Sequence, residues 1–341
     1  MKKVSFIVDK VHQKNKIFDG QGKIGSFDKY IALKNFFQQE GFDIATNDIN
    51  TPEDSDIVLY FDMPNKLPKL EDKYKSYLLA LESSIIKPEN FDTEKHKYFN
   101  KIFTWNDDIV DNIKYIKINY AFDFPNKIYK NINREKLCCL IVSNKTSKLP
   151  NELYSERKKL IEWFEKNHIE DFDLYGFGWD SFRFNGNKLI RGLNKIPFLN
   201  QLIYKLFIVK YKVYKGTVED KFETMKKYKF SIAYENVKDE NGYITEKIFD
   251  VFIAGCVPIY WGAKNIKEYI PEDCFIDRRK FDSNEALYDF ISNLSDDKYK
   301  KYLDNIEQYL NSKQAEQFNI NTFSKRIVNN SISKENNDKQ R

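Results

Sequence analysis

YKFSIAYENVKDENGYITEKIFDVFIAGCVPIYWG, residues 228–262, reads as strand, loop, helix and strand in one unbroken run. Lys229 to Tyr234 is a short apolar strand of the buried type, and Glu235 to Tyr243 is a polar loop carrying Gly242. Thr245 is a good N-cap for a helix that runs to about Ala254, and Gly255 stands where a left-handed stop is wanted. Val257 to Trp261 is a second apolar strand, with Pro258 tolerable only near its beginning.

The chemistry of this stretch lies at the helix start. Glu246 and Lys247 occupy the first turn, where unpaired backbone N–H groups and the positive end of the helix dipole attract an anion such as a diphosphate. Lys247 adds a full positive charge, and the Glu246 carboxylate suits the two hydroxyls of a ribose. Asn236 and Tyr243, on the loop before, complete a polar pocket. For an isolated T-E-K the ordinary reading is a capped helix start with a solvated charge pair.

The motif is not isolated. The span resembles the signature of the α1,3/α1,4-fucosyltransferases, glycosyltransferase family 10, whose hallmark is a Y-K-F strand, an F/Y-E-N turn, a Y-[IV]-T-E-K helix start and an A-G-x-V-P-[IV] strand start. Each piece is present: Tyr228-Lys229-Phe230, Tyr234-Glu235-Asn236, Tyr243-Ile244-Thr245-Glu246-Lys247 and Ala254-Gly255-Cys256-Val257-Pro258-Ile259. The resemblance implies an α/β fold in the GT-B arrangement, two Rossmann-like α/β domains facing across a cleft. It also implies a GDP-sugar donor, GDP-fucose in the first place, and a glycan acceptor. Animal members carry a membrane anchor at the N-terminus. Here Asp9 cuts the first apolar run short and no stretch reaches eighteen apolar residues, so a bacterial-type, cytosolic member is expected.

Composition sets wider limits. A chain of 341 residues is long enough for two domains, and 41% hydrophobic with 16% aromatic residues excludes general disorder. A net charge of +5 is too balanced for a global nucleic-acid binder. Four cysteines without C-x-x-C spacing and three scattered histidines give no zinc ligand set.

Along the chain, apolar runs at 3–8, 42–45, 57–61, 76–81, 101–104 and 115–118 alternate with polar or helical segments, the first helix running from Ser26 to Gln39. This pattern predicts a parallel sheet with covered faces. The polar stretch 119–135 marks a boundary, giving an acceptor-binding domain over 1–130 and a donor-binding domain over 131–328. In the second domain strands are expected at 137–142, 172–175 and 274–277, with helices at 151–168, 219–227, 283–294, 295–310 and 314–328. Residues 329–341 read as a frayed polar tail.

Sugar transfer with inversion needs a base for the acceptor hydroxyl and a stabiliser for the departing diphosphate. Asp54-Ser55-Asp56 and Asp171-Phe172-Asp173 have the D-x-D spelling of metal-dependent transferases, but each precedes a strand, so strand-edge charge is the better reading. No metal or other cofactor is therefore expected to be required, a divalent ion being at most stimulatory, and fixed cations take its place. Lys247 is one. The family places an arginine early in the helix after the first strand of this domain, and Arg157 is the matching position; the alternative is a solvated helix arginine. For the base, Glu82 stands at the tip of the strand Tyr77-Leu78-Leu79-Ala80-Leu81, aimed into the cleft. Family members place the base in a Glu-Ser-Pro-like turn, and the turn here is Glu82-Ser83-Ser84, which leaves a capping carboxylate as the alternative.

Between Ser181 and Val218 eight lysines and arginines stand without one acidic residue, mixed with large apolar side chains. Residues 183–215 accordingly read either as core-packed segments with snorkelling lysines or as a surface that attaches peripherally to the inner face of a membrane. The second reading suits an enzyme of bacterial surface-glycan synthesis, such as a lipopolysaccharide O-chain. Rival readings are the same fold with another GDP-sugar, GDP-mannose among them, and a non-catalytic glycan- or membrane-binding relative. A nucleic-acid partner is not expected.

Overall fold

Strands of the first half carry apolar residues on both faces, and both faces are covered. The computed structural model describes residues 1–20, 27–180, 192–196, 198–199, 202–203 and 211–332. β1 (Lys2–Ile7), β2 (Phe42–Thr46), β3 (Ile57–Phe61), β4 (Ser76–Ala80), β5 (Lys101–Thr104) and β6 (Tyr115–Lys117) form one sheet in the order β2-β1-β3-β4-β5-β6. Every neighbouring pair is parallel. The two-residue period of a strand sorts its side chains. Ile57, Leu59, Tyr77 and Leu79 join Tyr30, Leu33 and Phe37 of α1 (Asp28–Gln39) on one side. Val58, Tyr60, Leu78 and Ala80 join Met63, Phe99 and Ile102 on the other.

The second sheet holds β7 (Lys136–Ile141), β8 (Phe172–Tyr175), β9 (Tyr228–Tyr234), β10 (Val257–Trp261) and β11 (Ile276–Asp277), all parallel, in the order β11-β10-β9-β7-β8. Around it lie α2 (Tyr154–Asn167), α3 (Lys221–Met225), α4 (Glu246–Ile253), α5 (Ile266–Tyr269), α6 (Asn284–Ser292) and α7 (Asp296–Leu310). Its core includes all four cysteines as free thiols. Gly255 closes α4 as expected, at φ +68°, with Gly255 N bonded to Phe252 O and Cys256 N to Val251 O. A Cβ there would lie 1.9 Å from Tyr129 O, so glycine is required for space as well as for φ. The fold is thus two parallel-sheet α/β domains, as the sequence pattern predicts.

The end of the chain departs from expectation. The segment expected as one helix over 314–328 divides into a 3₁₀ turn, Ala315–Phe318, and α8 (Ile320–Ile332). α8 leaves the second domain and packs on α1, burying Phe323, Ile327 and Val328 in the first domain's core. Tyr77 of β4 donates to Ser331 O at 3.0 Å, which keeps the helix regular beyond residue 328. The boundary drawn from local polarity missed this return because apolar periodicity does not say which sheet a helix covers. Most of the basic segment 183–215, and the N-cap expected at Ser26, lie outside the described residues.

Candidate active site

The carboxyl ends of both sheets open onto one cavity of about 360 Å³. Its wall joins Glu82, just beyond β4, to Arg157, Asn236, Tyr243, Glu246 and Lys247 of the second domain. Lys145, Lys221 and Asp250 also line it. All six residues singled out from sequence therefore meet in one place.

The second-domain wall is built on the α4 start. Thr245 caps the helix, its Oγ1 accepting from Lys247 N at 3.5 Å. Beneath it Glu235, with no exposed side-chain surface, accepts from Thr245 N at 2.8 Å and Thr245 Oγ1 at 2.7 Å. Lys247 Nζ lies 3.2 Å from Glu235 Oε2, 3.1 Å from Glu246 Oε1 and 3.0 Å from Thr245 Oγ1. Burial opposes the Glu246 charge, but the Lys247 ammonium overrides it and holds the carboxyl at about 2. Burial likewise opposes the Lys247 charge, and Glu235 and Glu246 together raise its pKa above the ordinary lysine value. The helix start is thus a compensated ion cluster in which Glu235 and Lys247 are largely buried and the Glu246 carboxylate reaches solvent.

Arg157, only 4% exposed, reaches this cluster from the first turns of α2. Its Nη2 donates to Tyr234 O at 2.6 Å, Glu235 O at 2.7 Å and Asn236 Oδ1 at 3.3 Å. Nε is buried without a hydrogen-bond partner among the described residues. Burial lowers its pKa, and the alternative of a solvated helix arginine is excluded. Tyr243 differs from expectation in another way. Its ring packs 4.8 Å from Trp105 and 6.1 Å from Tyr120, in a small apolar cluster that ties the loop 235–243 to the first domain. Gly242 beside it has φ +82°, and a Cβ there would lie 2.3 Å from Trp105 O.

On the first-domain side, Asp62 follows β3 with φ +56° and holds the Glu82 turn. Its Oδ1 accepts from Leu81 N at 2.8 Å, Glu82 N at 3.0 Å and Asn90 Nδ2 at 2.7 Å. Burial, then the charges of Asp62 and Glu246, push the Glu82 carboxyl up to about 7, against the pull of Lys247 and Lys145. A carboxyl raised toward neutral pH in this way suits general base work. Lys29 Nζ lies over the rings of Tyr30 and Tyr120, at 5.3 and 5.2 Å, and burial lowers its pKa against the attraction of Glu246, Glu82 and Asp62.

Sequence reasoning missed Glu235, Asp62 and Asp250. Glu235 had a signal, being the central residue of the Tyr-Glu-Asn turn. Asp62 had none, since only pairing of β3 with β4 brings it under residue 82. Asp250 lies one turn beyond Glu246 on α4 and binds Lys221 Nζ at 2.6 Å, which places Lys221 on the cavity wall. The D-x-D spellings sit at strand starts with structural partners: Asp56 accepts from Lys3 N at 2.7 Å, and Asp173 pairs with Lys136 and Tyr228.

A family model described as glycosyltransferase family 10 (fucosyltransferase), C-terminal, matches residues 131–339, more than half of the chain. An α-(1,4)-fucosyltransferase of Arabidopsis thaliana is 42% identical over 73 residues, 21% of this chain and 18% of that protein. The chain therefore spans less than a fifth of the plant relative in that match. The crystal structure of an α1,3-fucosyltransferase with GDP superposes with a TM-score of 0.57 at 17% identity, over 97% of this chain and 90% of the other. An α1,3-fucosyltransferase with GDP-fucose gives 0.56 at 15%, over the same shares. These structures share the GT-B fold of two α/β domains.

Proposed function

The chain belongs to glycosyltransferase family 10, and from that premise we propose that it transfers L-fucose from GDP-β-L-fucose to a hydroxyl of a glycan, with inversion to an α-fucoside. The observation that carries this reading is the meeting of Glu82 from one domain with Arg157, Glu246 and Lys247 from the other around one cavity. The acceptor hydroxyl gives its proton to the Glu82 carboxylate and attacks the anomeric carbon as the bond from that carbon to the diphosphate oxygen breaks. GDP leaves with its added charge held by Lys247 and by the free edge of Arg157. Glu246, whose side chain is 46% exposed, is the carboxylate able to turn from Lys247 to the ribose hydroxyls, whereas buried Glu235 stays and keeps the ammonium aimed. A neighbouring pocket of about 360 Å³, lined by Ile141, Val142, Phe177 and Phe222, has room and apolar walls for the base.

The reaction so drawn needs no metal, because fixed cations face the leaving group. The acceptor is a GlcNAc-containing glycan joined in α1,3 or α1,4 linkage, made as part of a bacterial surface glycan by a cytoplasmic enzyme held at the inner membrane through 183–215. No helix among the described residues is long and apolar enough to cross a membrane. Calorimetric titration with GDP, GDP-fucose and GDP-mannose, without added metal, tests the donor. GDP and GDP-fucose are expected to bind the wild type and to fail with Lys247→Ala. Binding of GDP with indifference to fucose would overturn the choice of sugar.

A further inference from the structure

The turn that carries Glu82 is tied down from both domains. On its own side Asp62 Oδ1 accepts from Leu81 N and Glu82 N, and Ser83 O accepts from the amides of Ile86 and Lys87 at 3.1 and 2.8 Å. From the other side comes a contact between residues 156 positions apart: Ser84 Oγ donates to Glu240 Oε1. Glu240 belongs to the donor loop, and its carbonyl accepts from Tyr243 N at 3.3 Å. The next residue of that loop also docks on the first domain, Asn241 Nδ2 donating to Asp108 Oδ1 at 2.8 Å and Asn241 O accepting from Asp107 N at 3.3 Å.

Stability alone does not explain the contact. Glu240 Oε2 and Ser83 Oγ are both buried with no hydrogen-bond partner among the described residues. A buried polar atom left in that state is destabilising, and native proteins contain few of them. Ser84 lies two residues from Glu82 and Glu240 three residues from Tyr243, both of which line the cavity, so the pair links its two walls. We propose that Glu240 is a positioning residue for the transfer: through Ser84 it fixes the Glu82 turn to the donor loop, so that donor binding and placement of the base are coupled. The proposal rests on the reading of Glu82 as base and of the loop 235–243 as part of the GDP-sugar site. A donor that orders this loop then orders the turn in the other domain, and a base displaced by about 1 Å loses about a hundredfold in rate.

Steady-state kinetics with Glu240→Ala, Glu240→Gln and Ser84→Ala, beside GDP titration, test this. Either alanine variant is expected to lower kcat about 10- to 100-fold with the GDP Kd within about threefold of wild type. Glu240→Gln keeps an acceptor oxygen for Ser84 and restores most of kcat, and the double alanine variant is no worse than either single one. Hydrogen exchange supplies a readout apart from activity: GDP slows exchange of the Ile86 and Lys87 amides in the wild type and not in Ser84→Ala. Alanine variants that keep kcat within about twofold, or amides that GDP protects equally in both proteins, overturn the coupling. A wild type that binds GDP but transfers no fucose overturns the choice of sugar, and the exchange result still decides the coupling. A wild type that binds no GDP overturns the donor-site reading and this inference with it.

Discussion

Two glutamates line the same cavity and stand in opposite states. Glu246, on the second-domain wall, is held at about 2 by the Lys247 ammonium against the effect of burial. Glu82, on the first-domain wall, is pushed up to about 7 by burial and by the charges of Asp62 and Glu246. The difference lies in what each neighbouring loop supplies. The α4 start offers a cation and capped backbone N–H groups, whereas the β3 end offers Glu82 a second carboxylate at its own amide. A carboxylate with a matched cation stays ionised and binds; one crowded by like charge can take a proton near neutral pH. Environments that separate two carboxyl groups in this way divide the roles of binding and proton transfer.

The largest test of that division is Glu82→Gln, which keeps shape and removes the proposed base. Turnover is expected to fall about 10²- to 10⁴-fold, with the GDP Kd unchanged by titration. An undiminished rate would take Glu82 out of the chemistry. Next comes the compensated side. Lys247→Ala leaves the wholly buried Glu235 facing Glu246 with no cation between them, and breaking such a pair removes about 3 kcal/mol of stability. Urea unfolding measures the loss, and adding Glu235→Gln in the same chain should recover much of it. A loss no larger than that from the exposed Lys300→Ala would show that the cluster is not the buried pair described above.

Most of the fold was legible because both sheets are parallel. Strands covered on both faces read as short continuous apolar runs, and each of the eleven strands among the described residues begins and ends within a few residues of its run. On the second-domain wall Thr245, Glu246 and Lys247 were legible because they are neighbours in sequence as well as in space, whereas Glu235, ten residues before Thr245, was missed as the buried partner of Lys247. The first-domain wall was legible only as far as Glu82, whose position at a strand tip is local. Asp62, twenty residues earlier, reaches it by strand pairing, and Ser84 meets Glu240 only when the domains close on each other. The final helix failed for the same reason, since its periodicity is the same whichever core receives it.

Asp62 gives the finest test of the two-glutamate comparison. Asp62→Asn keeps an oxygen that can accept from Leu81 N, Glu82 N and Asn90, so the turn retains its shape while a negative charge disappears. That charge raises the Glu82 pKa, the second cause after burial, so removing it lowers the pKa. With Glu82 as the proposed base, transfer requires its ionised carboxylate, which the wild type loses as pH falls through about 7. In the variant the loss should set in at lower pH. At pH 6 the variant therefore keeps a larger share of its plateau rate than the wild type does. Above the limb its plateau should be equal or slightly lower, because a weaker base accepts the proton less readily. Burial raises the pKa of Asp62 itself, and a limb that does not move would mean that Asp62 is already protonated in the working enzyme. The poise of Glu82 would then come from burial and Glu246 alone, and the contrast between the two walls would rest on Lys247.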